Sequence, residues 1–134
     1  AVVIDQGTAT TFDIVTPNSG YEGGVILPGP QGFLDYLSHA TALLPHISLP
    51  KSFVISSSYG KSTKDAMLIG VFLGYNQMIQ GMIEKLNFEL SERFNQRIKF
   101  VITGGSPLKL DLDGCIQREN LTLEGLKIAF EFNL

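Results

Sequence analysis

Over its first 28 residues the chain alternates short runs of apolar and β-branched side chains with turn-forming residues. Residues 2–5 form the first run and residues 10–15 the second, with Asp13 inside it; residues 21–27 form the third. Gly7-Thr8 separates the first pair, and the TPNSG of residues 16–20 separates the second, so the pattern predicts a three-strand antiparallel meander. The LPGP of residues 27–30 ends it. Pro30 is well placed to open a helix, and Phe33, Leu34, Leu37, Ala40, Leu43 and Leu44 recur at helical spacing up to Pro45. A proline-punctuated connection follows. From Ser62 to Phe94, Leu68, Phe72, Tyr75, Ile79, Met82, Leu86 and Leu90 fall three and four apart, which predicts one long helix or two in tandem. Gly70, Gly74 and Gly81 weaken it by roughly 1 kcal/mol each relative to alanine, so close approach of another backbone is their expected compensation. IKFVITGG reads as a strand ending in two glycines. An irregular stretch, a weak strand over residues 120–123 and a last helix over residues 124–132 complete the chain. Strands first, helices after and a late strand between helices predict an α/β domain, a mixed sheet flanked by helices.

At 134 residues and 44% hydrophobic content the chain supplies one domain with a core of its own. The formal charge is −3 and Lys and Arg are not clustered, so the footprint of a nucleic-acid binder is missing. Cys115 is the single cysteine, which excludes an intrachain disulfide, leaves no zinc-type cluster and points to a reducing, cytoplasmic setting. The uninterrupted apolar runs are shorter than a membrane span and no secretion signal opens the chain. The first residue is Ala1, already within a strand, which suggests further sequence upstream.

The chemistry lies in the turns. Asp5 ends a strand beside Gly-Thr-Ala-Thr. In one reading Asp5 holds a cation or water while the backbone of Gly7 and the hydroxyls of Thr8 and Thr10 cradle phosphate; in the other, Asp5 accepts N–H bonds within its own hairpin. Gly23 and Gly24 inside a strand suggest a bulge or an approaching ligand, and Pro28-Gly29 shapes the turn after it. The GKST of residues 60–63 resembles a P-loop tail, but the first glycine of that motif would fall on Ile55, so the P-loop reading fails. A helix N-terminus capped by Ser62 or Thr63 remains, open to an anion. Gly104 and Gly105 leave room for a flat ring or ribose. His39, His46 and Cys115 carry no recognisable partner motif, and Asp111 with Asp113 reads as a solvated turn.

In order, IDQGTATTFDIV, GYEGGVILPG, the LLP of residues 43–45, GKST opening a helix and VITGG resemble the type III pantothenate kinases over nearly the whole chain. The resemblance implies an actin-like ATPase (ribonuclease H-like) fold in two related domains, with ATP in the cleft between them. This chain, residues 1–134, is then a single domain, the C-terminal half, with the N-terminal half absent. The implied reaction is ATP-dependent phosphorylation of pantothenate, the first step towards coenzyme A. Asp5 matches the aspartate that binds K⁺ or NH₄⁺; Gly7, Thr8 and Thr10 fall in the ATP turn, and Gly104 and Gly105 in the adenosine turn. Thr63 matches the residue that contacts pantothenate. Mg²⁺ would accompany the nucleotide, and a homodimer through the helix of residues 62–94 is expected, with neither nucleic acid nor membrane as partner.

Ser62 departs from the Asn that many members carry. The family's Asp-x-Gly-Asn loop and the general-base aspartate of its Gly-x-Asp-Arg segment are not in this chain and would lie upstream of Ala1, so residues 1–134 alone are expected to be inactive. A non-catalytic nucleotide-binding or regulatory relative is the alternative, and a phosphatase of the same superfamily a third.

Overall fold

The computed structural model describes residues 1–110 and 112–133; Asp111 lies outside them. Strands β1 (Val2–Gln6), β2 (Ala9–Thr16) and β3 (Gly20–Pro28) pair antiparallel in chain order. Strand β4 (Phe100–Thr103) then enters parallel to β1, and β5 (Cys115–Gln117) parallel to β4, giving one mixed sheet in the order β3-β2-β1-β4-β5. Three strands running the same way bring the C-terminal ends of β1, β4 and β5 to one edge of the sheet. The register slips between Ile14 and Val15, opposite the glycine pair of β3, where Gly23 sits at φ +138°. That bulge accounts for one of the two glycines.

Alternation along the strands decides which face is covered. Val2, Ile4, Phe12, Phe100 and Ile102 are buried on one side, and two helical elements supply the other half of this core. Helix α1 (Pro30–Ala40) starts on Pro30 and buries Leu34. It ends at Ala40, short of the expected Pro45, because Thr41 takes over: its hydroxyl donates to Leu37 O at 2.7 Å and accepts from Leu44 N at 3.3 Å. Leu43, expected on the helix face, is 92% exposed. The loop beyond is stapled to α1 by Gln31, whose amide donates to Asp35 and Ile47 O and accepts Leu49 N at 2.6 Å.

Helical structure is continuous from Thr63 to Phe94, as α2 (Thr63–Ile69), a π-helical segment (Gly70–Tyr75) and α3 (Asn76–Phe94). Its buried stripe runs Leu68, Phe72, Tyr75, Ile79, Ile83, Leu86 and Leu90, with Met82 at the margin rather than in it. Gly70, Gly74 and Gly81 do not meet another backbone, in contrast to the expected compensation: a Cβ at each would find open space. By length and average composition this helix would also be apolar enough to cross a membrane, although its uninterrupted apolar runs are short. A helix that covers a sheet passes the same test, and Met67, Leu68, Val71 and Phe72 are spent in the core.

The last elements differ from expectation. The late strand is Cys115–Gln117, not residues 120–123, and helix α4 begins earlier, at Leu121. Three residues carry too little periodicity to register, and this strand exists through its pairing with β4.

Sheet and long helix are joined by one buried polar contact. Thr10 is fully buried, and its hydroxyl lies 2.7 Å from the Tyr75 hydroxyl. Burial pushes the Tyr75 phenol above its ordinary value of 10.0, opposed by its hydrogen bond with Thr10. The neutral phenol is therefore the form the fold favours. Its contribution is full below about pH 10 and is lost as pH rises through the raised value. Tyr75→Phe leaves the Thr10 hydroxyl buried without that partner and is expected to cost about 1–3 kcal/mol at neutral pH. Urea unfolding measures the loss; the variant is also expected to lose less stability than the parent between pH 9 and 11.

Candidate functional site

Three turns meet at the sheet edge where β1 and β4 end. Gly7 N donates to Ala9 O at 2.9 Å, closing the tight turn between β1 and β2. Gly29 N donates to Thr8 O at 2.9 Å, and a Cβ on Gly29 would lie 2.1 Å from Gly7 O. The Pro28-Gly29 turn is thus packed backbone to backbone on the Gly-Thr turn, which only glycine permits. From the other side Gly104, at φ +108°, would place a Cβ 2.4 Å from Gln6 O and 2.7 Å from Asp5 Oδ1, and Ser106 N donates to Gln6 O at 3.0 Å.

Asp5 pairs across β1–β4 with Thr103, so its carboxylate stands directly beside the Gly104 turn. It is only partly buried. The turn N–H of Gly7 goes to Ala9 O, and no ion pair among the described residues includes Asp5. The carboxylate thereby keeps acceptor capacity. A cleft of about 340 Å³ opens here, lined by Gly7, Thr8, Pro30, Gln31, Leu49, Gly105, Ser106 and Pro107. No group of three or more His, Cys, Asp or Glu that could hold a metal ion occurs among the described residues. A hard cation at this edge would therefore rely on a single carboxylate supplemented by carbonyl and ligand oxygens.

The fold brings Asp5, Gly7, Thr8, Gly104 and Gly105 together. Two candidates stand apart. Thr10, expected to cradle phosphate beside Thr8, points into the core and is committed to Tyr75, so it supports the turn from beneath. Strand alternation is the cause: Thr10 shares the face of Phe12, and Thr11 the opposite one. Thr63 lines a different cavity, an apolar groove of about 470 Å³ between α1 and the long helix, with Phe33, Ala66, Gly70, Gly74 and Met78 among its walls.

At the GKST segment the cap is Ser62. Its hydroxyl accepts Asp65 N at 3.1 Å and donates to Asp65 Oδ2 at 2.8 Å, a reciprocal capping arrangement that places a carboxylate of the chain itself at the helix start. An Asn there would cap equally well, so helix capping does not distinguish the two residues. Gln31, Leu49, Ser106 and Pro107 escaped sequence reasoning as cleft residues. Ser106-Pro107 directly follows the glycine pair and could have been found from it; Leu49 arrives only through the Gln31 staple.

Comparison with known proteins agrees with the order of these motifs. A family model described as type III pantothenate kinase matches residues 1–85. Type III pantothenate kinases of Rhodospirillum rubrum and Methylacidiphilum infernorum are 38% and 39% identical to the chain, covering 98% of it in both cases but only 50% and 48% of their own lengths. A crystal structure from Campylobacter jejuni, described as a Baf family transcriptional activator, superposes with a TM-score of 0.62 at 28% identity, covering 99% of this chain and 58% of that one. The chain thus spans about half the length of the curated relatives it matches.

Gly104→Ala forces a left-handed conformation on a residue with a Cβ and drives that atom into Gln6 and Asp5. A cost of about 1–3 kcal/mol is expected, read by urea unfolding. Gly105→Ala, whose Cβ meets nothing, should leave stability unchanged.

Proposed function

The chain belongs to the type III pantothenate kinase family, and on that premise we propose that it is the C-terminal half of a two-domain kinase of actin-like fold. This enzyme transfers the γ-phosphoryl group of ATP to the primary hydroxyl of pantothenate. The observation that carries the reading is the convergence of Asp5, Gly7, Thr8, Gly104 and Gly105 on one sheet edge, from turns a hundred residues apart in sequence. Phosphoryl transfer asks mainly for positioning and for neutralisation of charge on the transferred group. The Thr8 hydroxyl and the backbone of the Gly-Thr turn supply donors to phosphate oxygens. The bare Gly104-Gly105 turn accepts the flat adenosine. Asp5 would hold a monovalent cation, K⁺ or NH₄⁺, with Mg²⁺ accompanying the nucleotide; a bound cation supplies positive charge beside the phosphates. Its oxygen-only surroundings suit a hard cation.

Thr63 is the substrate contact in this reading. Its groove is apolar with one hydroxyl at the rim, a match for the dimethyl and hydroxyl groups of pantothenate. The general base and the first phosphate loop belong to the other half, so the chain alone binds without turning over. The long helix of residues 62–94 is the homodimer surface we assign, and the compartment is the cytosol. A non-catalytic nucleotide-binding or regulatory relative of the same fold is the second reading, and the curated relatives, described as type III pantothenate kinases, do not favour it.

Joined to the missing half, residues 1–134 are expected to phosphorylate pantothenate in K⁺ and to slow markedly in Na⁺. Asp5→Asn should abolish that difference and lower the rate by roughly a hundredfold, measured by coupled ADP release. Equal rates of the parent in the two salts would remove the assignment of Asp5, and absence of any turnover would favour the second reading. Sedimentation at micromolar concentration is expected to give a dimer that Gly81→Glu, on the open face of the long helix, returns to monomer.

A further inference from the structure

Among the described residues the buried Gln, Ser and Thr side chains are Gln6, Thr10, Thr103 and Ser106, and all stand at the end of the sheet that carries the cleft. A buried polar side chain costs free energy unless it is hydrogen-bonded, so their gathering in one place has to have a reason. Gln6 and Thr10 are cross-strand partners on the core face of β1 and β2. The Thr10 hydroxyl meets that of Tyr75 at 2.7 Å, while Gln6 Nε2 is buried and makes no hydrogen bond. An uncommitted donor next to a committed pair means that this polar set is not closed on itself. Its geometry is held by what packs around it.

Each member reaches a different part of the molecule. The Gln6 carbonyl accepts Ser106 N at 3.0 Å and lies against Gly104, so its backbone carries the second glycine turn. Thr10 directly follows the turn that Gly7 N closes on Ala9 O. Tyr75 forms part of the groove wall, its ring edge-on to that of Phe33 with centroids 6.2 Å apart. One side chain thus presents its ring to the groove and its hydroxyl to the support of the Gly-Thr turn, although groove and cleft share no lining residue. The other side-chain hydrogen bond from the long helix to the sheet among the described residues, Arg93 to Glu22, lies at the far end of both. A ligand packed on the Tyr75 ring restricts the hydroxyl, and that ordering is then already in place for a second ligand on the turn.

We propose that Tyr75 is a positioning residue shared by the two substrates: a molecule seated against its ring in the groove fixes the hydroxyl that holds the Gly7-Thr8 turn through Thr10, so that occupancy of the groove raises the affinity of the turn for the nucleotide. The inference rests on the reading of the cleft as nucleotide site and of the groove as pantothenate site, and adds a coupling between them.

Calorimetry on the chain joined to its missing half tests it, with ADP as the nucleotide because it has no γ-phosphoryl group to transfer. ADP is expected to bind about fivefold or more tightly with pantothenate saturating than without, and pantothenate to gain the same factor from ADP, as linkage requires. Tyr75→Phe keeps the ring and should bring the factor close to one while pantothenate alone binds as before. Thr10→Ser, which keeps a hydroxyl, should retain most of it. Ile83→Val, a core change on the same helix away from the hydroxyl pair, should lower stability and leave the factor intact, which separates positioning from general weakening. Independent binding of the two ligands by the parent overturns the proposal, and so does a coupling that survives Tyr75→Phe. A measurement without variants stands beside these: pantothenate alone should slow hydrogen exchange at the amides of residues 7–10 by roughly fivefold, and unchanged exchange there overturns the proposal even where Tyr75→Phe does not fold. A parent that binds no pantothenate removes the reading of the groove and this proposal with it. Coupled binding without phosphoryl transfer from ATP leaves the inference standing and removes only the assigned reaction.

Discussion

Contact between backbones at the C-terminal edge of β1 and β4 is the constraint on which the rest of the structure depends. Gly29 rests on the carbonyls of Gly7 and Thr8, and Gly104 rests on Asp5 and Gln6, at distances that leave no room for a Cβ. Three turns from distant parts of the chain are thereby held in register by atoms every residue possesses, and side chains are released for chemistry. The consequence is an edge dense in carbonyl and N–H groups, with one partly exposed carboxylate facing it. Such an edge suits a ligand that is itself charged and oxygen-rich, and its rigidity costs nothing when that ligand arrives.

Rigidity beneath the edge comes from the core. Thr10 lies under the Gly-Thr turn and is tied to Tyr75 on the long helix, so the turn that faces the cleft and the helix that lines the second groove are connected through a single pair of hydroxyls. The π-helical segment that contains Tyr75 also contains Gly70 and Gly74, whose open faces floor that groove. One local departure from α-helical geometry therefore touches both the support of the Gly-Thr turn and the surface beside Thr63. π-helical turns are retained where such a position is needed despite their poorer hydrogen bonding.

Much of this was legible in the residues. Period-two alternation located β1, β2 and β3, and the stripe from Leu68 to Leu90 located the long helix, because both rest on many positions agreeing. Asp5, Gly7, Thr8 and Gly104 could be named only because five short motifs follow one another in a family's order; each motif alone also reads as ordinary turn chemistry. Thr10 could not be separated from Thr8 by type. Only the pairing register, which sets Thr10 opposite Leu27 and on the face of Phe12, sends its hydroxyl inward. The end of α1 escaped for a related reason: the apolar spacing continued through Leu43 and Leu44, while a single threonine hydroxyl captured the backbone at Leu37. Strand β5 was invisible because its three residues are a strand only in the presence of β4.

The glycines of the long helix and the apolar arc of α4 share a logic that a single chain cannot satisfy. Each glycine in a helix interior costs stability relative to alanine, and each exposed Leu or Phe on α4 forgoes the burial that would offset its ordering. Within residues 1–134 neither cost is recovered: the glycines face open space and the α4 side chains face water. They differ in what would recover it. Bare backbone calls for a surface that can come very close, as another helix can, whereas long apolar side chains spread around most of a helix call for a surrounding core. The cleft at the locked sheet edge shares no lining residue with the groove of the long helix, so that groove can be covered while the cleft stays open.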